Sequence, residues 1–403
     1  MTPPYHTALL ATAQDFAAPV TALRRAIHAE PELGLANPKT RDKVRAALAH
    51  LPLDWREGPS TTGLVARLTG TADGPPRRVL LRGDTDALPM EEQTGLDFAS
   101  TVPGAMHACG HDTHTAMLAG AAMVLSARRA SFAGEVLFMF QPGEEGWHGA
   151  RFMLDDGLLD PLPDAAFALH IMPDSAHGLV SGRAGALLAS ADRFEVIVTG
   201  AGGHASMPHQ TLDPMPVACE IVTAIQAMVT RRFSVADPVV VTVAQIAAGT
   251  THNVIPDHAI LRGTMRALSP ANRAALRQRL EILAAGIASA HGLCATTTIF
   301  EGFPVTVCDA RAVDLGEAVT ADLGEGLRFQ RLSHPIMGAE DFAYVLDKVP
   351  GAMFFLGVAA PGSDGQGCCG IHSPRMVVDE SALPLGTALL AGCATRFLAH
   401  GFG

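Results

Sequence analysis

Short apolar runs of strand length alternate with longer segments of helical length through the first part of the chain. The first predicted helix covers about Val20–His28 and stops near Pro31. Asn37-Pro38 supplies a cap and a proline at the first helical position, so a second helix follows over TRDKVRAALAHL. Arg78–Arg82 reads as a buried strand and ends in Gly83-Asp84-Thr85-Asp86. An Ala- and Met-rich helix is expected over His111–Arg128. Strand Glu135–Phe140 then ends in Gln141-Pro142-Gly143-Glu144-Glu145, and strand Asp164–Leu169 ends at His170. Strands alternating with helices imply a mostly parallel sheet.

The middle of the chain has a different order. Strand Arg193–Thr199 precedes a helix from Asp213-Pro214 to Phe233. Strands Val239–Gln245 and His258–Ala267 follow, then a helix from the cap Ser269-Pro270 to His291-Gly292, then strand Ala295–Phe300. This βαββαβ order is that of a split-βαβ, ferredoxin-like α+β sandwich. It places an inserted domain at 187–303, with 1–186 and 304–403 forming one α/β domain around it. The last piece is expected to give a helix at Gly338–Leu346, strand Ala352–Val358 and a helix near Ser381–Leu398. No internal repeat or low-complexity segment interrupts the pattern.

Composition narrows the function classes. The 403 residues carry 29 basic and 40 acidic side chains, a net charge of −11. That balance disfavours nucleic acid and anionic membranes as partners. Aromatics at 5% leave little for base stacking. The seven cysteines, Cys109, Cys219, Cys294, Cys308, Cys368, Cys369 and Cys393, are odd in number and irregular in spacing. A reducing, cytoplasmic setting is the simplest expectation. The N-terminal stretch has no signal-peptide pattern. Thr115–Ala127, taken as the longest charge-free apolar stretch, is too short to span a bilayer. Against 2 Trp and 2 Tyr there are 17 His, the commonest metal-ligand type.

Those histidines fall beside other ligand types. Three predicted strands end in Asp84 and Asp86, in Glu144 and Glu145, and in His170. The carboxyl ends of strands are where open α/β sheets build sites. Between the first two strands lies Met106-His-Ala-Cys-Gly-His-Asp-Thr-His114, and Cys368-Cys-Gly-Ile-His372 follows the last strand. Each feature alone has a bland reading, as a turn, a cap or a solvated acid. Together, thiolate, imidazole and carboxylate suit Zn, Mn or Co and metal-assisted hydrolysis. A thiolate such as Cys109 can span two ions. Of two adjacent glutamates, one can bind metal while the other handles a proton.

The motifs RRAIHAEPELG (24–34), RGDTDALP (82–89), MHACGHDTHTA (106–116), QPGEEGWHGA (141–150), ALHIMP (168–173), GAGGHASMPHQTLDP (200–214), THNVIPDHA (251–259), MGAEDFAY (337–344) and IHSPRMVVDE (371–380) run in order along nearly the whole chain. Together they resemble the aminoacylase–carboxypeptidase metallopeptidase family. The match is closest to its hippurate hydrolase and auxin (indoleacetyl)-amino-acid hydrolase branch. The resemblance implies a zinc-peptidase-like catalytic domain, two divalent metal ions and an inserted lid that also makes a homodimer. Cys109, His111, Glu145, His170 and His372 fall on the family's metal positions. Glu144 falls on its general base, and Asp86 on the aspartate that orients the metal site. His204 falls on a lid histidine that stabilises the oxyanion in a partner subunit. Asn253 and Arg266 look like lid residues that hold the substrate carboxylate.

The implied reaction is hydrolysis of an N-acyl-L-amino acid (hippurate-like, N-acetyl or indoleacetyl) to a carboxylate and a free amino acid. The alternatives are a carboxypeptidase or dipeptidase of the same chemistry, or a catalytically silent binding protein. Loss of Glu144 or a ligand would mark the silent protein, and all are present. Asp84 stands where many relatives have His, and Cys109 where many have a bridging Asp. The former and latter changes are shared with the acyl-amino-acid branch. Trp147 is expected either to shape an acyl pocket or to pack, and Cys368-Cys369 adds two thiols near His372, as mimics of ligands or as buried side chains.

Overall fold

The computed structural model describes residues 5–324, 326–360 and 369–403. They form two compact units. The first comprises 1–187, 307–334 and 341–403, and the second 188–306 and 335–340. The short segment Pro335–Glu340, which the sequence reading left with the flanking pieces, thus belongs to the second unit. Its tie is a bridge from Ile336 to Leu188.

The first unit is built on an eight-stranded sheet. Its order is Asp54–Glu57, Leu64–Thr69, Glu135–Gln141, Arg78–Asp84, Ala165–Met172, Gly351–Gly357, Leu179–Gly182, Arg328–Arg331. The sheet is mixed. Its centre, from Glu135–Gln141 through Arg78–Asp84 and Ala165–Met172 to Gly351–Gly357, is parallel, and both flanks include antiparallel pairs. The central strands are buried along nearly their whole length, which is why they read as continuous apolar runs.

Helix His111–Ala127 is apolar all round beyond its polar start, His111–Thr115, and every residue from His111 to Leu125 is buried. It packs against Ala17–His28 and Leu383–His400. Small residues permit that closeness: a Cβ on Gly386 would lie 2.1 Å from Met117 Sδ. The final helix is also the correction to Thr115–Ala127 as the longest charge-free stretch. Glu380–His400 is long and apolar enough to cross a membrane, but 83% of its most apolar window is buried, so it is a core helix.

In the second unit, four antiparallel strands lie in the order Val239–Ala248, His258–Ala267, Asp192–Thr199, Cys294–Phe300. Helices Pro214–Arg232 and Pro270–Ala290 supply the rest of one apolar core, with Phe194, Val196, Ile221 and Leu280 at its centre. Strand burial alternates, as one covered face requires. Asp213 and Ser269 cap the helices through the amides of Met215 and Asn272.

Several expectations need adjusting. A helix at Tyr5–Asp15 precedes the first one predicted. Asn37 does not cap its helix. Its Oδ1 accepts from Thr85 Oγ1, and the Glu32 carboxylate instead accepts from the amides of Lys39 and Thr40. The helix expected at Gly338–Leu346 shrinks to Ala343–Leu346, because Asp341 is drawn into buried hydrogen bonds described below. Strand Ala165–Met172 runs two residues past His170, so that histidine sits within the strand.

Candidate metal centre

The parallel centre of the sheet brings the ends of its strands to one edge. Asp84 pairs with Gln141 in register, and His170 pairs with Phe355. His111 opens helix His111–Ala127 directly after Gly110, whose φ is +85°. Only glycine fits there, since a Cβ would lie 2.5 Å from Ile171 Cγ1. His372 has a left-handed backbone, φ +64°, held by its amide donating to Ala108 O at 2.7 Å. That bond delivers a residue from the far end of the sequence to the neighbour of Cys109.

Donor atoms converge in overlapping sets. Cys109, His111 and His170 place one donor each within 4.8 Å of one another, as do Cys109, Glu145 and His372, and His111, Glu144 and Glu145. Cys109 is common to the first two sets, which is the arrangement a ligand spanning two ions requires. Its Sγ lies 3.4 Å from His170 Nε2. His170 Nδ1 donates to Ile171 O at 2.7 Å, which leaves the Nε2 lone pair directed at the cluster. His372 Nε2 lies 3.3 Å from Glu145 Oε1. His111 lies 3.4 Å from Asp86 Oδ1, 3.7 Å from Asp84 Oδ2 and 3.9 Å from Glu144 Oε2.

The electrostatics are those of a cation cradle. Burial pushes the Cys109 thiol up, and the neighbouring His111 works against that. Burial, with His114 and His111 nearby, holds His170 well below the usual imidazole range. Burial opposes charge on His111 too, yet Asp84 and Cys109 hold it well above that range. Hydrogen bonding to Cys109 and Glu145 raises His372 to about 10. Burial would raise Glu145, but His372 and His111 hold it low. Both ring nitrogens of His111 are buried without a hydrogen-bond partner among the described residues, and Glu145 Oε1 has only the 3.3 Å approach of His372. Buried polar atoms are normally satisfied. An orphaned imidazole with carboxylates converging around a thiol fits one or two divalent ions of the Zn, Mn or Co type.

Asp86 is bonded to the backbone rather than placed as a donor. Its Oδ1 and Oδ2 accept from the amides of Glu144 and Glu145, each at 3.0 Å. Glu144 is buried beside His111, with only 7% of it exposed. His114 has both nitrogens committed. The Ile171 amide donates to its Nε2 at 2.9 Å, so the proton lies on Nδ1, which donates to Asp84 Oδ1 at 2.6 Å. It is therefore no ligand in this arrangement. His28 is buried between Asp112 and Glu92, at 2.8 and 3.1 Å. Trp147 is half exposed, its indole against Gly34. Cys368 lies outside the described residues, and Cys369 carries no disulfide.

Sequence reasoning missed Arg82 and Asp341. Arg82 was legible as the second cation of an apolar strand, four residues inside it from Arg78. Asp341 stood only within the motif MGAEDFAY, with nothing to mark its task.

His204, Asn253 and Arg266 lie in the second unit. His204 pairs with Val254, next to Asn253. The Ser206 amide donates to His204 Nδ1 at 3.1 Å, so a neutral ring carries its proton on Nε2. Arg266 is not gathered with these two. It sits at the opposite end of strand His258–Ala267, half-buried, and burial lowers its pKa. Eight residues of strand separate it from His258, roughly 26 Å at about 3.3 Å per residue.

Comparison with known proteins shows the family. Residues 80–396 match peptidase family M20/M25/M40. The chain is 37% identical to the N-acetylcysteine deacetylase of Bacillus subtilis (strain 168), covering 93% of this chain and 96% of that protein. It is 37% identical to the IAA-amino acid hydrolase ILR1-like 4 of Arabidopsis thaliana, covering 96% and 88%. Among solved structures, the YXEP protein of Bacillus subtilis, a dinuclear metal-binding peptidase, superposes with a TM-score of 0.81. It is 33% identical, with 96% of this chain and 99% of that one covered.

Proposed function

The chain belongs to peptidase family M20/M25/M40, and from that premise we propose that it is a metal-dependent amidohydrolase of N-acyl-L-amino acids. The observation that carries this reading is the pair of donor sets sharing Cys109, with Glu144 buried beside them. Relatives that act on N-acetylcysteine and on indoleacetyl-amino acids support an acyl-amino-acid substrate.

Cys109, His111, Glu145, His170 and His372 are the ligands in this reading. Two divalent ions held by them, Zn, Mn or Co, supply carbonyl polarisation and a lowered water pKa. Glu144 takes a proton from the attacking water and returns it to the leaving amine. Asp86 fixes the turn bearing both glutamates, so that the Glu144 carboxylate meets the water in one geometry. His204, with its proton on Nε2, donates to the oxyanion. Asn253 and Arg266 hold the substrate carboxylate.

His204 follows the end of the ladder that carries His258, whereas Arg266 lies near that strand's other end, so the register of one lid does not gather the two around a small substrate. That supports a homodimer in which His204 serves the partner's site. Strand Val239–Ala248 lies at the sheet edge with Val240 and Ile246 exposed, a surface suited to a second copy. The six described cysteines are free of disulfides, which supports a reducing cytoplasm.

The test uses Glu144→Gln. Turnover of acetyl-, benzoyl- and indoleacetyl-amino acids should fall about 100-fold or more, while metal content by elemental analysis stays at the wild-type level. Retained turnover refutes the role of Glu144. Faster cleavage of dipeptides than of acyl-amino acids by the wild type refutes the substrate class.

A further inference from the structure

Beneath the donor cluster lies a second layer of buried charge that the reaction does not consume. Arg82, Asp84 and Asp341 are each 1% exposed or less. Arg82 Nη1 donates to Asp84 Oδ2 at 2.5 Å, and its Nη2 donates to Asp341 Oδ1 at 3.1 Å. Its Nε donates to Gln141 Oε1 at 2.8 Å. Asp341 accepts further bonds from Gln141 Nε2 at 2.7 Å and from the Ala150 amide at 2.9 Å.

The last two contacts bracket the turn that carries Glu144 and Glu145. Gln141 ends the strand before it, and Ala150 stands in the first turn of the helix after it. One carboxylate therefore closes both stems of the turn, while Asp86 holds its tip. Through Arg82 the same carboxylate is joined to Asp84. Asp84 is joined to His114, and His114 to the Ile171 amide beside His170. The elements bearing His111, Glu144, Glu145 and His170 thus share one hydrogen-bonded frame.

We propose that Asp341 is a positioning residue for the metal pair, acting through both stems of the Glu144–Glu145 turn and through Arg82. The proposal rests on the metal-centre reading above. Asp341→Asn keeps the shape, and because Arg82 still faces Asp84 it leaves a balanced buried pair. One side-chain oxygen must then serve where two did, and the amide nitrogen faces a donor. One stem of the turn is released.

The experiment titrates the metal-free full-length protein with Zn or Co alone, by calorimetry, and records the Co absorption spectrum. Asp341→Asn should weaken at least one equivalent by about tenfold or more, in the range seen for residues behind metal ligands. Its Co spectrum should change, and circular dichroism should not. Gln141→Leu, which breaks one stem bond, should weaken the same equivalent less. Added to Asp341→Asn it should cost little more, since both act on one turn. Wild-type affinity and spectrum in Asp341→Asn overturn the positioning role. If that variant does not fold, wild-type affinity in Gln141→Leu does so instead. A wild-type chain that binds no ion overturns the metal centre itself.

Discussion

Replacing Asp86 by Asn tests how much of the site depends on a residue that need not touch substrate. Both Asp86 oxygens accept backbone amides, from Glu144 and Glu145, each at 3.0 Å. Asn offers one oxygen and one NH2, so one amide keeps its acceptor and the other meets a donor. A hydrogen bond to a charged group contributes about 1.5–3 kcal/mol, equivalent to roughly 10- to 150-fold in an equilibrium or rate constant. Asp86 is 1% exposed, so water cannot substitute for the lost acceptor. The loss also removes negative charge 3.4 Å from His111 Nδ1. The expected result is kcat/KM lowered by about 10- to 150-fold on an N-acyl amino acid. Metal should also be lost faster to a weak chelator. Steady-state kinetics with saturating metal, and elemental analysis after dialysis, give both numbers. Activity and metal retention equal to the wild type would refute the claim that Asp86 fixes the glutamate turn.

Other expectations follow from the same reasoning. Burial disfavours charge on His28, but Asp112 and Glu92 raise it to about 9. Its stabilising effect is therefore full below about pH 6.5 and lost as pH rises through about 9, at most about 3 kcal/mol. The gap in denaturant stability between wild type and His28→Gln should close over that window, and a gap flat with pH refutes a charged His28. Asp192 behaves in the opposite sense. Burial alone would raise it, but Arg273, Arg277 and the Gly302 amide lower it to about 2. Its contribution of about 2 kcal/mol should vanish between about pH 4 and pH 2, read as convergence of wild type and Asp192→Asn in acid unfolding. Gly110→Ala, at φ +85° with Ile171 in contact range, should lose about 2 kcal/mol or more and its bound metal together. A thermal scan with metal analysis checks both.

The parts of this molecule legible in the sequence are those with local causes. Asp213-Pro214 and Ser269-Pro270 announced their helices because capping is decided within four residues. The buried central strands announced themselves as apolar runs, and the acids at Asp84 and Glu144–Glu145 marked where they end. Asn37-Pro38 misled because a distant acceptor need at Thr85 took the Asn37 side chain while Glu32 did the capping. The helix expected at Gly338 failed for a similar reason. Asp341 satisfies donors from residues 82, 141 and 150, and no window around it contains them. His114 could be placed near the site but not given a task, because its task is set by an amide 57 residues away. Arg266 and His204 both read as lid residues, but only the strand register puts them at opposite ends.

The bond from the His372 amide to Ala108 O has a consequence for the order of synthesis. On the ribosome, Cys109, His111, Glu145 and His170 all emerge before the second unit, whereas His372 follows it by chain position. At roughly 5–20 residues per second, the interval between His170 and His372 lasts on the order of 10–40 seconds. During that time the nascent chain lacks the fifth proposed ligand. An ion captured early would have four of the five proposed protein ligands. Full metal retention would then coincide with release of a nearly finished chain, and a translation arrest placed after the second unit should yield a polypeptide that surrenders its metal readily.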